Sequence, residues 1–516
     1  MIIEIIGTAI FIVAIWLVLR YNLHMFQLNG YKNKEHISWL KKKYKTQTIL
    51  GGVFILSLFT IVVNDRILSL IGCLFLSIVI IKYYNLYKES NKKKFVVTPR
   101  VRRMIITNAI IIVGVSALYV VSTKRLIPIL LLLTFMQSFI VLLLNIINSP
   151  IERAIKNHYI SDAKRILNEN KHIKVIGVTG SYGKTSVKFY LQKLLQEKYN
   201  VLVTPESYNT PMGIVKTIRS DLKNTHDIFV CEMGARYVGD IKEICDIVKP
   251  THGVITAVGP QHLETFGSIM NIIKTKFELA DALPKEGMLF LNVDNEIIRA
   301  EMRRYSNAVA YSTTENIGYN AGNIKVSTSG TSFTVTSPSG EKEEFHTKLI
   351  GMHNVINIIS AISVANTLNI PLGELIIPVR RLQPIPHRME ITNHKNFTII
   401  DDAYNSNPVG SKAALNTLSM FDGTKILVTP GMVELGNMQY EYNYNFGTYA
   451  AECCDYIFLI GKNQTRPIYE GVCSKGFPES KCVVCDNLEE AMSFIKELNV
   501  EKWKYVLLEN DLPDNY

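Results

Sequence analysis

Five apolar membrane spans followed by α/β structure is the fold class this sequence predicts: a central P-loop domain with a parallel sheet, then a C-terminal Rossmann-like α/β domain. Three observations carry it. The first 150 of 516 residues contain five apolar stretches. One strand–glycine loop–helix passage, residues 174–196, comes next. Beyond it, short apolar runs alternate with helical periodicity to the end of the chain.

The apolar stretches are 2–19, 46–63, 67–84, 104–121 and 126–147, each close to the roughly 20 residues that cross a hydrocarbon core. No basic n-region or small-residue cleavage site marks the first as a signal peptide. The formal net charge of +11 is uneven: residues 1–150 hold 18 Lys and Arg against 4 Asp and Glu, and the remainder 38 against 41. The excess sits in two loops, one with Lys32, Lys34, Lys41, Lys42, Lys43 and Lys45, the other with Lys88, Lys92, Lys93, Lys94, Arg100, Arg102 and Arg103. By the positive-inside rule both loops face the cytoplasm, the N-terminus lies outside and everything after residue 150 lies inside. The excess therefore sets orientation and meets anionic lipid. Without interleaved aromatic residues it is no nucleic-acid footprint. Glu4, near the end of a span, reads as interfacial. Cys482 and Cys485 have half of a redox or zinc spacing but no second pair, and Cys453 and Cys454 are adjacent, so reduced structural thiols are expected.

Residues 151–170 read as an amphipathic connecting helix. Val175-Ile176-Gly177-Val178 is a buried-strand run, and Val187, Tyr190, Leu191, Leu194 and Leu195 recur at helical spacing after it. Between them lies Thr179-Gly180-Ser181-Tyr182-Gly183-Lys184-Thr185-Ser186, a glycine loop with Lys-Thr at a helix start. Such a loop turns backbone N–H groups toward a phosphate, adds the helix N-terminus, and supplies a lysine and a hydroxyl for Mg²⁺. The strict pattern would have glycine at 178, where this chain has Val178. Parallel-sheet strands are expected at 201–203, 228–231, 253–257 and 288–291, antiparallel ones within 322–350, and a helix over 354–368. A Pro-rich linker at 381–388 leads to a second α/β unit with strands from 397, 425, 456 and 505. The domains expected are thus 1–150, 151–384 and 385–516.

Glu232 ends an apolar strand, as the second Mg²⁺ contact of P-loop proteins does. His262 follows the next strand, and ligands gather outside the carboxyl ends of such strands. Lys274, Lys276 and Glu278 share a helix whose charged face would ordinarily be solvated.

The succession T-G-S-Y-G-K-T-S, E-M-G-A, H-L-E-T-F-G, K-T-K-F-E, G-M-H-N-V-I-N and D-D-A-Y-N-S-N-P resembles the Mur ligases, over about residues 172–516. The branch it is most similar to adds D-alanyl-D-alanine. The resemblance implies ATP held by Gly180, Ser181, Gly183, Lys184, Thr185 and Ser186. It also implies two Mg²⁺ ions served by Thr185, Glu232 and His262, and a carbamylated Lys276 as an extra anionic ligand. His353 and Asn354 match the adenine-contacting stretch, Arg388 the linker arginine at the phosphates, and Asp402 the acidic residue at the ribose. Asn209 falls where the family meets its acceptor. Two features depart from the branch. Apolar spans replace its small N-terminal domain, and Thr-Pro-Gly precedes Met-Val-Glu434-Leu-Gly436 where it usually has Leu-Gly-Asp.

The implied reaction is amide formation through an acyl phosphate, with Lys184, Lys276, His262 and Arg388 as catalytic residues. The partners implied are the bilayer, an amino acid or dipeptide, a carboxylate-bearing envelope acceptor and other envelope enzymes. Because spans replace a domain that would grip a soluble nucleotide-linked precursor, a lipid-linked acceptor is the first expectation, and an ordinary D-alanyl-D-alanine-adding enzyme at the membrane the alternative. A transporter with its own ATPase, or a nucleotide-binding scaffold, leaves Lys276 and Asp402 without a role.

Overall fold

A computed structural model describes residues 2–42, 55, 76–86, 94–123, 126–206, 208–404 and 406–511. The chain divides into two compact units, changing over between His158 and Tyr159.

In the first unit the described residues form three helices long and apolar enough to cross a bilayer, Thr8–Leu28, Pro99–Thr123 and Pro128–Glu169. This corrects the expectation of five spans. The stretch 46–63 lies outside the described residues apart from Ile55, as does 67–75. The remainder of the third stretch is described as the apolar helix Leu76–Leu86. The three crossings among the described residues, like the five expected, put the chain's two ends on opposite sides and both basic loops in the cytoplasm. The protein is thus multi-pass, with its α/β portion cytoplasmic. Pro99–Thr123 buries only Val101, Met104, Asn108 and Ser116, while Val113, Leu118 and Val121 are 68–85% exposed, the pattern of a lipid-facing helix. Leu19, Leu23 and Phe26 pack with Met104, Leu133 and Ile140 in one core. The expected separate helix at 151–170 does not exist: Ile127–Glu169 runs unbroken through Pro150. Proline removes one donor there, and the helix continues on both sides of it.

The second unit carries two sheets. The first orders nine strands as β2-β3-β1-β4-β5-β6-β7-β8-β9. They are β1 (Lys174–Thr179), β2 (Val201–Val203), β3 (Ile228–Glu232), β4 (His252–Ile255), β5 (Leu289–Asn292), β6 (Ala308–Ser312), β7 (Tyr319–Ser327), β8 (Gly330–Thr336) and β9 (Lys342–Thr347). Pairing is parallel as far as β7, and β7–β8–β9 are antiparallel. The sheet is therefore mixed rather than parallel throughout. The reason is local: β1 and β3 are buried almost residue by residue, whereas β7 and β8 alternate buried with exposed, as one-sided antiparallel strands do. Helices Lys184–Leu195 and Met352–Thr367 cover one face through Val187, Leu191, Ile358 and Ile362. Ile214, Ile218, Ile241, Ile244 and Leu279 cover the other.

The second sheet orders β10 (Glu390–Asn393), β11 (Phe397–Asp402), β15 (Lys504–Glu509), β12 (Thr424–Thr429), β13 (Tyr456–Ile460) and β14 (Cys482–Cys485). It too is mixed, with β10 antiparallel at its edge and the rest parallel. The cysteines at the two ends of β14 are buried free thiols. Because β1 sits between β3 and β4, the loops leaving their carboxyl ends are neighbours, and the site is built from them.

Candidate active site

Gly180 has φ 152°, and a Cβ there would lie 2.1 Å from Thr256 Oγ1, so only glycine fits. Gly183, φ 80°, caps the helix Lys184–Leu195 with no side-chain hydrogen bond to its first N–H groups. Those donors and the helix dipole are what an anion seeks. The loop is stitched to the one after β4. Ser181 N donates to Ala257 O at 2.6 Å, Ser181 Oγ to Gly259 O at 3.0 Å, and Thr256 Oγ1 to Tyr182 O. Lys184 Nζ donates to Gly180 O at 2.8 Å and Ser181 O at 3.1 Å. Burial lowers its pKa to about 8, with Glu232 opposing and nearby Arg388 reinforcing the shift.

Glu232, at the end of β3, is where the site converges. Its Oε1 accepts from Thr185 Oγ1 at 3.2 Å and from Asn209 Nδ2 at 3.1 Å. Lys188 Nζ approaches Oε2 at 3.0 Å as an ion pair, off the line of a hydrogen bond, and both side chains are at most 2% exposed. Burial alone would raise the Glu232 pKa, but Lys188, Lys184 and the Asn209 amide together hold it below the ordinary carboxylate value. Arg388 reaches across from the segment just before β10: NH2 lies 3.4 Å from Thr185 Oγ1, and the guanidinium stacks 4.3 Å from the Tyr404 ring centroid.

His262 has φ 52°, and its Nδ1 is hydrogen-bonded to Glu434 Oε2. Burial keeps the imidazole below its usual pKa despite that carboxylate. Lys276, on the helix Ile269–Asp281, is 2% exposed. Among the described residues no carboxylate lies at ion-pair distance from it. Burial, then the charge of Lys184, lowers its pKa well below the lysine norm. The same helix is anchored by Glu278, which accepts from Gly239 N and Lys242 N at 2.8 and 2.9 Å.

Two further expected residues lie in the first turn of the helix Met352–Thr367. Asn354 is buried, accepting from Tyr190 Oη at 2.9 Å and donating to Ile350 O at 3.0 Å. His353 is held near pKa 4 by burial beside Gly351. Asn357, not singled out in the sequence, lies against the glycine loop: a Cβ on Gly183 would sit 2.6 Å from its Oδ1. Lys188 was missed too. Its only signal is a lysine between Val187 and Leu191 on the inward face of the loop's helix.

At the carboxyl end of the second sheet, Asp402 accepts from Met389 N at 3.2 Å and pairs in register with Glu509. Ser406 Oγ donates to Glu509, whose other oxygen lies 3.5 Å from Thr429 Oγ1. Burial raises Asp402 to about 6 and Glu509 to about 8, the latter assisted by the Asp402 charge. A carboxyl raised on folding contributes stability that is complete below its unfolded pKa and lost as pH rises through the folded value. The fold is therefore expected to weaken from about pH 5 to pH 8, and Glu509→Gln to flatten that slope. Melting temperatures of both proteins across this range check it; parallel slopes would contradict it.

Two family models match the chain: the Mur ligase middle domain over residues 178–365, and the Mur ligase glutamate ligase domain over 387–508. Together they cover more than half of it. The chain belongs to the Mur ligase family. Residues before 178 lie outside both models. The UDP-N-acetylmuramoyl-tripeptide–D-alanyl-D-alanine ligase of Escherichia coli is 30% identical to this Mur ligase over 299 residues, 56% of the chain and 65% of that protein. Its first curated relatives are matched over just under two thirds of their own length. MurF from Acinetobacter baumannii superposes with a TM-score of 0.64 at 24% identity, over 69% of this chain and 77% of that one. MurF from Thermotoga maritima, solved with ADP, gives 0.62 at 25% identity, over 69% and 80%.

Proposed function

We propose that this Mur ligase is a membrane-anchored, ADP-forming ligase that joins D-alanyl-D-alanine to a carboxylate of a muramoyl-peptide precursor. The observation that carries this reading is the meeting of Thr185, Glu232, Asn209 and Arg388 beside the glycine loop, in a chain similar to UDP-N-acetylmuramoyl-tripeptide–D-alanyl-D-alanine ligases. On this reading residues 1–150 are the membrane domain, 151–384 the ATP domain and 385–516 the domain that closes over it.

The residues fit the cofactors the family implies. Gly180, Ser181, Gly183, Lys184 and Ser186 suit a triphosphate, with His353 and Asn354 assigned near the adenine and Asp402 near the ribose. Among the described residues no three His, Cys, Asp or Glu side chains cluster as a metal cage. Magnesium takes one or two carboxylates and completes its shell with water and substrate phosphates. Thr185, Glu232, His262 and Lys276 would hold two Mg²⁺ ions. When bound, they offset the repulsion between carboxylate and triphosphate. Lys276 suits carbamylation because its buried, unpaired amine favours the neutral form, which adds to CO₂ and releases a proton.

In the reaction the acceptor carboxylate attacks the γ-phosphorus, and ADP leaves. The amine then attacks the acyl carbon, and phosphate leaves with the acyl C–O electron pair. Lys184 and Arg388 stabilise charge on the transferring phosphoryl group. Asn209, held by Glu232, is assigned to the acceptor. Closure of the second domain excludes the water that would hydrolyse the acyl phosphate.

The lipid-linked acceptor has the apolar helices in its favour, but the relatives favour the soluble precursor. The full-length protein in detergent, given ATP, D-alanyl-D-alanine and UDP-N-acetylmuramoyl-tripeptide, is expected to form the amide with one ADP per bond, read by mass spectrometry. Turnover of a lipid-linked acceptor but not of this precursor would overturn the acceptor assignment.

A further inference from the structure

The loop after β12 reaches from the second sheet to His262. It is held firmly at its base: Met432 N donates to Asn443 Oδ1 at 2.8 Å, Asn443 Nδ2 returns a bond to Met432 O at 2.9 Å, and Met432 and Leu435 are buried in the second core. Three residues with positive φ, Gly431 (81°), Glu434 (62°) and Gly436 (58°), fold its tip outward. There Glu434 meets the first sheet's loops three times. Oε2 takes His262 Nδ1, Oε1 lies 3.3 Å from Arg236 NH2, and the Glu434 carbonyl accepts from Glu264 N at 3.4 Å. Gly436 completes the fit, since a Cβ there would stand 3.6 Å from Glu264 N. A left-handed non-glycine residue is uncommon, and here two of them, Glu434 and His262, face each other across the contact.

A carboxylate on Nδ1 fixes the imidazole tautomer: the proton stays on Nδ1 and the lone pair on Nε2, with the ring's orientation set. His262 makes no other ring hydrogen bond among the described residues. We infer that Glu434 is a positioning residue for His262, supplied from the other domain, so that the metal-holding set of the first domain is complete only when the second is docked on it. This rests on the ligase reading above, in which His262 serves a metal. It makes the Glu-Leu-Gly segment the element that ties domain closure to metal occupancy.

Full-length wild type, Glu434→Ala, Glu434→Gln and His262→Ala, each saturated with ADP, are titrated with Mn²⁺ and free Mn²⁺ is followed by electron paramagnetic resonance. Loss of a carboxylate that orients a ligating histidine typically weakens metal binding about 10- to 100-fold. Glu434→Ala is expected to fall in that range, Glu434→Gln less, because its amide oxygen still accepts from Nδ1–H. Glu434→Gln alone decides the matter if the alanine variant does not fold. If His262→Ala weakens Mn²⁺ while both Glu434 variants match wild type, the positioning role is wrong and the ligase reading stands. If His262→Ala also matches wild type, His262 serves no metal and both fall.

Discussion

Lys276→Ala is expected to lose ligation by at least about a hundredfold, the scale on which a preformed electrostatic contact to the transferring group acts. The side chain is 2% exposed on the helix Ile269–Asp281 and close enough to Lys184 for its charge to be felt. An ammonium buried beside another cation, with no carboxylate at ion-pair distance among the described residues, is unfavourable, and on the proposed reading the residue carries a carbamate. The carbamate turns an unpaired cation into an anion facing Lys184. Short-chain carboxylates such as acetate should therefore restore part of the activity of Lys276→Ala, and amines should not. Initial rates of ADP release, with and without added acetate, measure this. Full activity in the alanine variant would leave Lys276 a packing residue.

The second large effect is on stability. Lys188 and Glu232 form an ion pair whose side chains are 0% and 2% exposed. Removing one partner leaves a buried charge uncompensated, so Lys188→Met should cost on the order of 3–5 kcal/mol. It would appear as a lower urea midpoint for the α/β portion. The double variant Lys188→Met, Glu232→Gln should recover most of that loss, because a well-packed neutral pair is often no less stable than the ion pair it replaces. It should still be inactive, since Glu232 also meets Thr185 and Asn209. If the single variant melts like wild type, the pair is not the keystone of the loop described here.

How much of this was legible in the sequence depended on whether a residue's partner was local. The strand–loop–helix at Lys184, the strand ending at Glu232 and the helix carrying Lys276 follow from nearby spacing, and the chain folds them as read. The antiparallel strands within 322–350 were legible from their alternation, yet not their place: they extend the first sheet through β6 and β7, a pairing no local pattern announces. Asn354 matched a motif, and the residue that donates to its side chain, Tyr190, is 164 positions away. Glu434 matched one too, while its partner His262 is 172 positions away. Lys188 sat in plain view four residues past Lys184, and only burial distinguishes it from a solvated lysine. Span counting failed for a different reason. Apolar composition marks what prefers hydrocarbon, whereas a crossing needs spanning length in one helix, which three helices among the described residues have.

The proposed reaction requires that ATP activate an acceptor carboxylate, and isotope transfer tests that step directly. The full-length protein is given ATP, D-alanyl-D-alanine and muramoyl-tripeptide precursor labelled with ¹⁸O in its reacting carboxylate. One labelled oxygen is expected in each inorganic phosphate released, with ADP and amide formed in equal amounts. Phosphate free of label, or AMP and pyrophosphate in place of ADP and phosphate, would contradict it.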